Sequence, residues 1–381
     1  MFRLKRTLLP IAALTLFLWM GLFIDSAFAS STDLDFNPRS SALFPYLGLE
    51  DLRLPVSPGT RRCCLLGTNL KMFGLIPGKQ TWDPTTLGMH MYGSGPNEYN
   101  GNILTCRAGF IDTAHVRYAA DLVAKYALSL EGIGPKGGTL RIRSEASVAR
   151  LRIPPTPYTQ DAEWLAETAA SIALDITTWH EIATWYDFSA VPFYTEKGSA
   201  FSPEDGFSNQ LGVALGREAL LKSNRTGKNY NEVMTELLQE TLSTFGALPE
   251  CQTTQVLDAL EEKENGSAIE AWFDPNYSVP NYRRLKKRRT QLYGELTPSL
   301  PPRSLLPTSC ELQGAFDQPP PRLNEGRSWN RYQLQFRIRR GTRVSRGLRP
   351  MNRVINQTEF PRLIEQAHRE IEKEWENPFL N

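Results

Sequence analysis

The sequence predicts an α+β protein, predominantly helical: a helical core with short hairpins and a long Pro-rich irregular segment. Three observations predict it. Several windows carry apolar residues at three- and four-residue spacing, bounded by helix-capping residues. Only a few short stretches alternate apolar with polar, as half-buried strands do. Seven prolines crowd residues 298–321, which neither element tolerates. The 381 residues, 41% apolar and 22% charged, suffice for a sizeable core and exclude a disordered polymer. A formal net charge of +2 argues against a globally basic nucleic-acid binder.

In chain order, residues 30–62 read as loop, and residues 63–111 as irregular structure or short strands rich in Gly, Pro and Asn. A helix starts at Asp112 as N-cap and runs through Ala114–Leu130 to Gly132. Thr139–Ser144 and Ser147–Ile153 alternate and form a hairpin. The clearest helix spans Gln160 to about Phe188, its stripe being Leu165, Ala169, Ile172, Ile176, Trp179, Ala183 and Tyr186. Ser202-Pro203-Glu204-Asp205 opens the next helix, with a Ser cap, Pro at the first position and acids in the first turn. Further helices fit Asn231–Phe245, Thr253–Glu264 and Thr358–Glu376, and Tyr332–Ile338 fits a strand. Residues 30–275 thus form a mainly helical core, and 276–381 a basic, Pro-rich extension with one strand and a terminal helix.

The first residues read as an address. Arg3, Lys5 and Arg6 precede an apolar run from Leu8 to Ile24, and Ala27-Phe28-Ala29 offers a cleavage site, so 1–29 is expected to be a signal peptide. The expected location is periplasmic or secreted; an uncleaved N-terminal membrane anchor is the alternative. Removing 1–29 leaves 40 basic and 40 acidic residues, strongly polarised: residues 281–350 hold 16 Lys/Arg against four acids. The densest run, Arg283–Arg289, is either a solvated face paired with the acidic remainder or a site for an anionic lipid or envelope polymer. In an oxidising compartment, Cys106 is expected to pair with Cys63 or Cys64, with Cys251–Cys310 as a second pairing.

Candidate chemistry centres on histidines. His180-Glu181 lies on the long helix, but the second histidine of H-E-x-x-H is replaced by Thr184, so a standard zincin site is excluded. His115 follows Asp112 by three residues, so the two share a face and can ligate together, or Asp112 orients the ring; the acid also has its own role as a cap. His90 lies in a glycine-flanked turn near Glu98 and Asn100. Glu204 and Asp205 suit the positive end of their helix, with Asn209 one turn on. Together, His115, His180 and Asp205 make a three-ligand divalent-metal site, zinc by preference, with an open position. Glu181 is then the general base. The expected function is an exported metal-dependent hydrolase acting on an envelope substrate. The alternative is a non-catalytic envelope structural or binding protein whose His/Asp/Glu residues form a buried polar network.

The stretches Arg62-Cys63-Cys64, Gly109 to Arg117, Trp179 to Trp185, and Ser199 to Asp205 running on to Ser208-Asn209 resemble the motifs of one exported bacterial family, domain of unknown function 4056. The resemblance covers roughly residues 60–250. It implies export and a bacterial host, and brings no activity with it.

Overall fold

A computed structural model describes residues 41–49, 70–72, 76–78, 81–188, 200–201, 203–261, 295–296, 300–301, 305–312, 323–324, 329–348 and 353–376. It is predominantly helical with small antiparallel sheets, as the periodicities predict. The segments 1–29 and Arg283–Arg289, and Cys63 and Cys64, lie outside the described residues. Among the described residues no helix is long and apolar enough to cross a membrane.

Four short strands come first: β1 (Leu70–Met72) pairs with β2 (Ile76–Gly78), and β3 (Asn102–Thr105) with β4 (Gly109–Asp112), all antiparallel. β4 runs straight into helix α1 (Thr113–Ile133), whose N-cap Asp112 accepts from the Ala114 and His115 amides. Every residue of α1 from Thr113 to Leu130 is buried, because helices α2 (Ala162–Trp185) and α3 (Pro203–Thr226) pack against it. The enclosure buries a polar row as well, since Thr113, Arg117, Asp121, Lys125 and Ser129 recur every four residues along one face.

Between α1 and α2, β5 (Gly138–Ser144) and β6 (Ser147–Ile153) form the expected hairpin. Helix α2 begins at Ala162, because Asp161 caps the Trp164 amide, and ends at Trp185, followed by Asp187 at φ 70°. Helix α4 (Tyr230–Thr244) lies along α3, and α5 (Glu250–Glu261) starts three residues earlier than predicted, directly after Pro249. The Pro249 carbonyl accepts from Gln252 and Thr253, so proline initiates the helix.

The remaining elements are β7 (Glu295–Leu296), α6 (Thr308–Leu312), β8 (Leu323–Asn324), β9 (Gln333–Ile338), α7 (Arg343–Gly347), β10 (Val354–Asn356) and α8 (Phe360–Glu376). β9 adds to the hairpin, giving one antiparallel sheet of order β10-β9-β6-β5. Its buried residues Leu334, Phe336 and Ile338 alternate with exposed ones, as the sequence pattern required. Phe336 stacks on Trp179 of α2 at 4.6 Å between ring centres, and Phe360 of α8 lies 6.1 Å from the same indole. The Tyr332 hydroxyl donates to Asp175 at 2.6 Å, so the sheet is fastened to α2.

The cysteine pairing differs from expectation: Cys106 is bonded to Cys310, and Cys251 is free and exposed. Cys106 lies in the β3–β4 turn inside a small apolar cluster with Leu104, Phe110, Leu248, Val256 and Leu257. The segment carrying Cys310 covers that cluster. Burial of this second cluster, and not proximity in sequence, selects the partner.

A candidate metal centre at the ends of three helices

The site assembles where α1 and α3 begin and α2 ends. Asp112 closes β4 as the cap of α1. One of its oxygens accepts from Ala114 N at 2.8 Å and His115 N at 3.4 Å, and its own amide donates to Ser208 Oγ of α3 at 2.9 Å. His115, in the first turn of α1, has Nδ1 3.2 Å from Asn209 Oδ1 and Nε2 3.6 Å from Asp205 Oδ1. With Nδ1 donating to the amide oxygen, Nε2 turns its lone pair toward a carboxylate: two acceptors face each other, which a shared cation or an added proton resolves. Asp112, His115 and Asp205 are all buried, and one potential ligand atom from each lies within 4.8 Å of the others. The group can hold a metal ion.

His180 borders this group. Its ring centre is 6.4 Å from that of His115, wider than the ~5 Å of two imidazoles on one ion. Its Nδ1 faces Glu145 Oε1 at 3.5 Å. Glu181, 6% exposed, accepts from the Phe201 amide through Oε2 at 2.8 Å, while Oε1 makes no hydrogen bond among the described residues. Asp205 Oδ1 likewise makes none. Phe201 holds φ 56°, a conformation non-glycine residues rarely adopt, and it aims that amide at Glu181.

Electrostatics follow from burial. The Glu181 carboxyl is pushed up to about 6 by burial and by the charge of Asp205, against the pull of His180 and His115. Burial, seconded by Glu204, raises Asp112 despite His115 and the two capping amides. Glu145 is the reverse case: burial pushes it up, but His180 and Ser144 outweigh burial and leave it lowered. Five buried carboxylates (Asp112, Glu145, Glu181, Glu204 and Asp205) therefore meet two imidazoles, and a bound cation would offset the surplus.

Residues 52–302 match the profile of the family described as "Protein of unknown function (DUF4056)". The chain belongs to this family. No curated protein and no solved structure matches it. Every residue of the centre lies within the family-matched span, whereas β9, β10 and α8 lie beyond it.

Of the sequence candidates, His115 and Asp205 come together, joined by Asp112; His180 and Glu181 stand beside them. His90 is placed in a different network, 2.9 Å from Asp121 and 3.8 Å from Glu98. There Arg117, fully buried, donates to the carbonyls of Leu87, Gly88 and Tyr99 and staples the 87–100 loop. The His368 side chain lies outside the described ones. Glu145 carried no sequence signal: Ser144-Glu145-Ala146 reads as an ordinary polar turn. Asn209 was visible as a neighbour of Asp205, one helical turn on.

Proposed function

We propose that the protein is a metal-dependent hydrolase whose ion is held by Asp112, His115 and Asp205. The observation that carries the proposal is the convergence of these three buried side chains beside Glu181, whose Oε1 has no hydrogen-bond partner among the described residues. An imidazole with carboxylates is a donor set that zinc accepts, and zinc is the ion proposed. Such an ion acidifies bound water and polarises a substrate oxygen. His180, whose ring centre lies 6.4 Å from that of His115, is the candidate fourth donor. Glu181 is the base: the Phe201 amide fixes Oε2, leaving Oε1 to take a proton. Export by residues 1–29 and an envelope substrate complete the proposal, supported by the n-region, apolar run and A-x-A pattern.

A second reading has its own support, since Asp112 caps α1 and Asn209 holds His115, both sufficient structural roles. On that reading the residues are a buried polar network in a non-catalytic envelope protein. Elemental analysis of the purified full chain separates the two. Stoichiometric zinc, manganese or iron that disappears in His115→Ala and Asp205→Asn supports the centre. Folded, metal-free wild type that takes up no added ion removes it.

A further inference from the structure

The tip of the β5–β6 hairpin carries an acid that the turn itself does not require. Ala146, at φ 48°, takes the left-handed position of the turn, and this accounts for the chain reversal but not for Glu145. Hairpin tips ordinarily reach water, yet the Glu145 side chain is only 8% exposed. A carboxylate withdrawn from water at such a place needs partners.

Its partners come from two directions. The Ser144 hydroxyl donates to Oε2, and Oε1 faces His180 Nδ1 at 3.5 Å. Trp179 Nε1 donates to the Glu145 carbonyl at 3.3 Å, so two consecutive residues of α2 hold the tip, one by its main chain and one by its side chain. From the opposite side, Arg339, directly after β9, donates its amide to Ala146 O at 2.8 Å and its guanidinium to Ser147 O at 3.4 Å. That strand lies beyond residue 302, where the family match ends.

We infer that Glu145 is a positioning residue for His180, and that the C-terminal strand β9 helps to hold it in that role. A carboxylate on one ring nitrogen selects the tautomer and fixes the ring plane. With Nδ1 held by Glu145, Nε2 is the nitrogen left for the centre formed by Asp112, His115 and Asp205. The use of Nε2 as a metal donor rests on the hydrolase proposal; the pairing of Glu145 with His180 does not.

The test uses the full chain labelled with nitrogen-15 histidine, metal-free, at a pH where the imidazoles are neutral. Long-range proton–nitrogen spectra report the tautomer of each ring, and His180→Gln assigns the signal. The wild type is expected to show His180 protonated at Nδ1 and bare at Nε2. Glu145→Ala should lose that preference while the His90 and His115 signals stay, and Glu145→Gln, whose amide oxygen still accepts, should keep it. Zinc titration against a chelator should then show about 10- to 100-fold weaker binding in Glu145→Ala. An unchanged His180 tautomer in Glu145→Ala overturns the inference, whereas a changed tautomer with unweakened zinc binding overturns only the use of His180 Nε2 as a metal donor. If Glu145→Ala does not fold, the wild-type spectrum decides alone: His180 protonated at Nε2 overturns the pairing. Wild type that binds no zinc but shows the Nδ1 tautomer removes the hydrolase proposal and leaves the pairing standing.

Discussion

Gly212 of α3 lies so close to Val116 of α1 that a Cβ on the glycine would sit 2.1 Å from the Val116 carbonyl oxygen. One turn on, a Cβ at Gly216 would sit 2.7 Å from Ala120 Cα. The two helices therefore touch backbone to backbone, and the same pair of helices carries His115 and Asp205, 3.6 Å apart.

Gly212→Ala is accordingly expected to push α1 and α3 apart, costing about 1–3 kcal/mol through overpacking. Zinc binding should fall with it. Gly227→Ala is the control: nothing lies within 4 Å of the place its methyl would take, and only the left-handed φ of 71° opposes the change, at about 1–2 kcal/mol. Denaturant titration and zinc binding on both variants check the contrast. Loss of stability without any loss of zinc affinity in Gly212→Ala would separate the helix crossing from the site.

Lys125 gives a pH-dependent prediction. It is fully buried in α1, and burial lowers its ammonium to about 8 from 10.5. Below pH 8 the lysine is charged in both folded and unfolded chains, so the fold bears the desolvation cost. Between pH 8 and 10.5 the folded chain releases its proton first, and stability rises with pH. Lys125→Met should therefore be more stable at pH 7, by up to about 3 kcal/mol, and its advantage should shrink as pH rises through that window. Paired urea titrations at pH 7 and pH 10 measure it; a constant difference between the two proteins would refute the assignment.

The disulfide gives a third. Cys106 and Cys310 are 204 residues apart, so their bond closes a long loop in the unfolded chain. Cys310→Ser is expected to cost about 2–4 kcal/mol. Non-reducing peptide mapping of the wild type should recover the 106–310 cross-link, with Cys251 alkylated without prior reduction. A map that joins Cys106 to Cys63 or Cys64 would contradict it.

The basic run Arg283–Arg289 supports a proposal about partners. Six cations in seven residues would contribute about 1 kcal/mol each near an anionic leaflet. The chain should sediment with anionic phospholipid vesicles at low salt and be released at physiological ionic strength or above. Changing Arg283, Arg284, Lys286 and Lys287 to Gln should abolish sedimentation with no change in thermal unfolding. Binding insensitive to both salt and these substitutions would count against a charge-driven contact.

Local chemistry was enough to determine the hairpin and the long helices to within a few residues, but not the short helices α7 and α6, the latter lying inside the segment whose prolines predicted irregular chain. Asp112 and the proline of Ser202-Pro203 announce their helices within a turn, and the alternation of Thr139–Ile153 sets its own register, because caps and periodicities act over a few residues. Asp112 shows where such reading stops: its role as a cap was legible, but its place beside Asp205 was not, since the same carboxylate serves both. His115 meets Asn209 94 residues later, and Cys106 meets Cys310 only after the chain returns to cover the cluster around Leu104. Glu145 resembles any polar turn residue until α2 and β9 enclose it. Tertiary packing alone decided these partnerships, because burial is what makes a carboxylate or thiol require a partner, and burial is a property of the assembled helices and sheet.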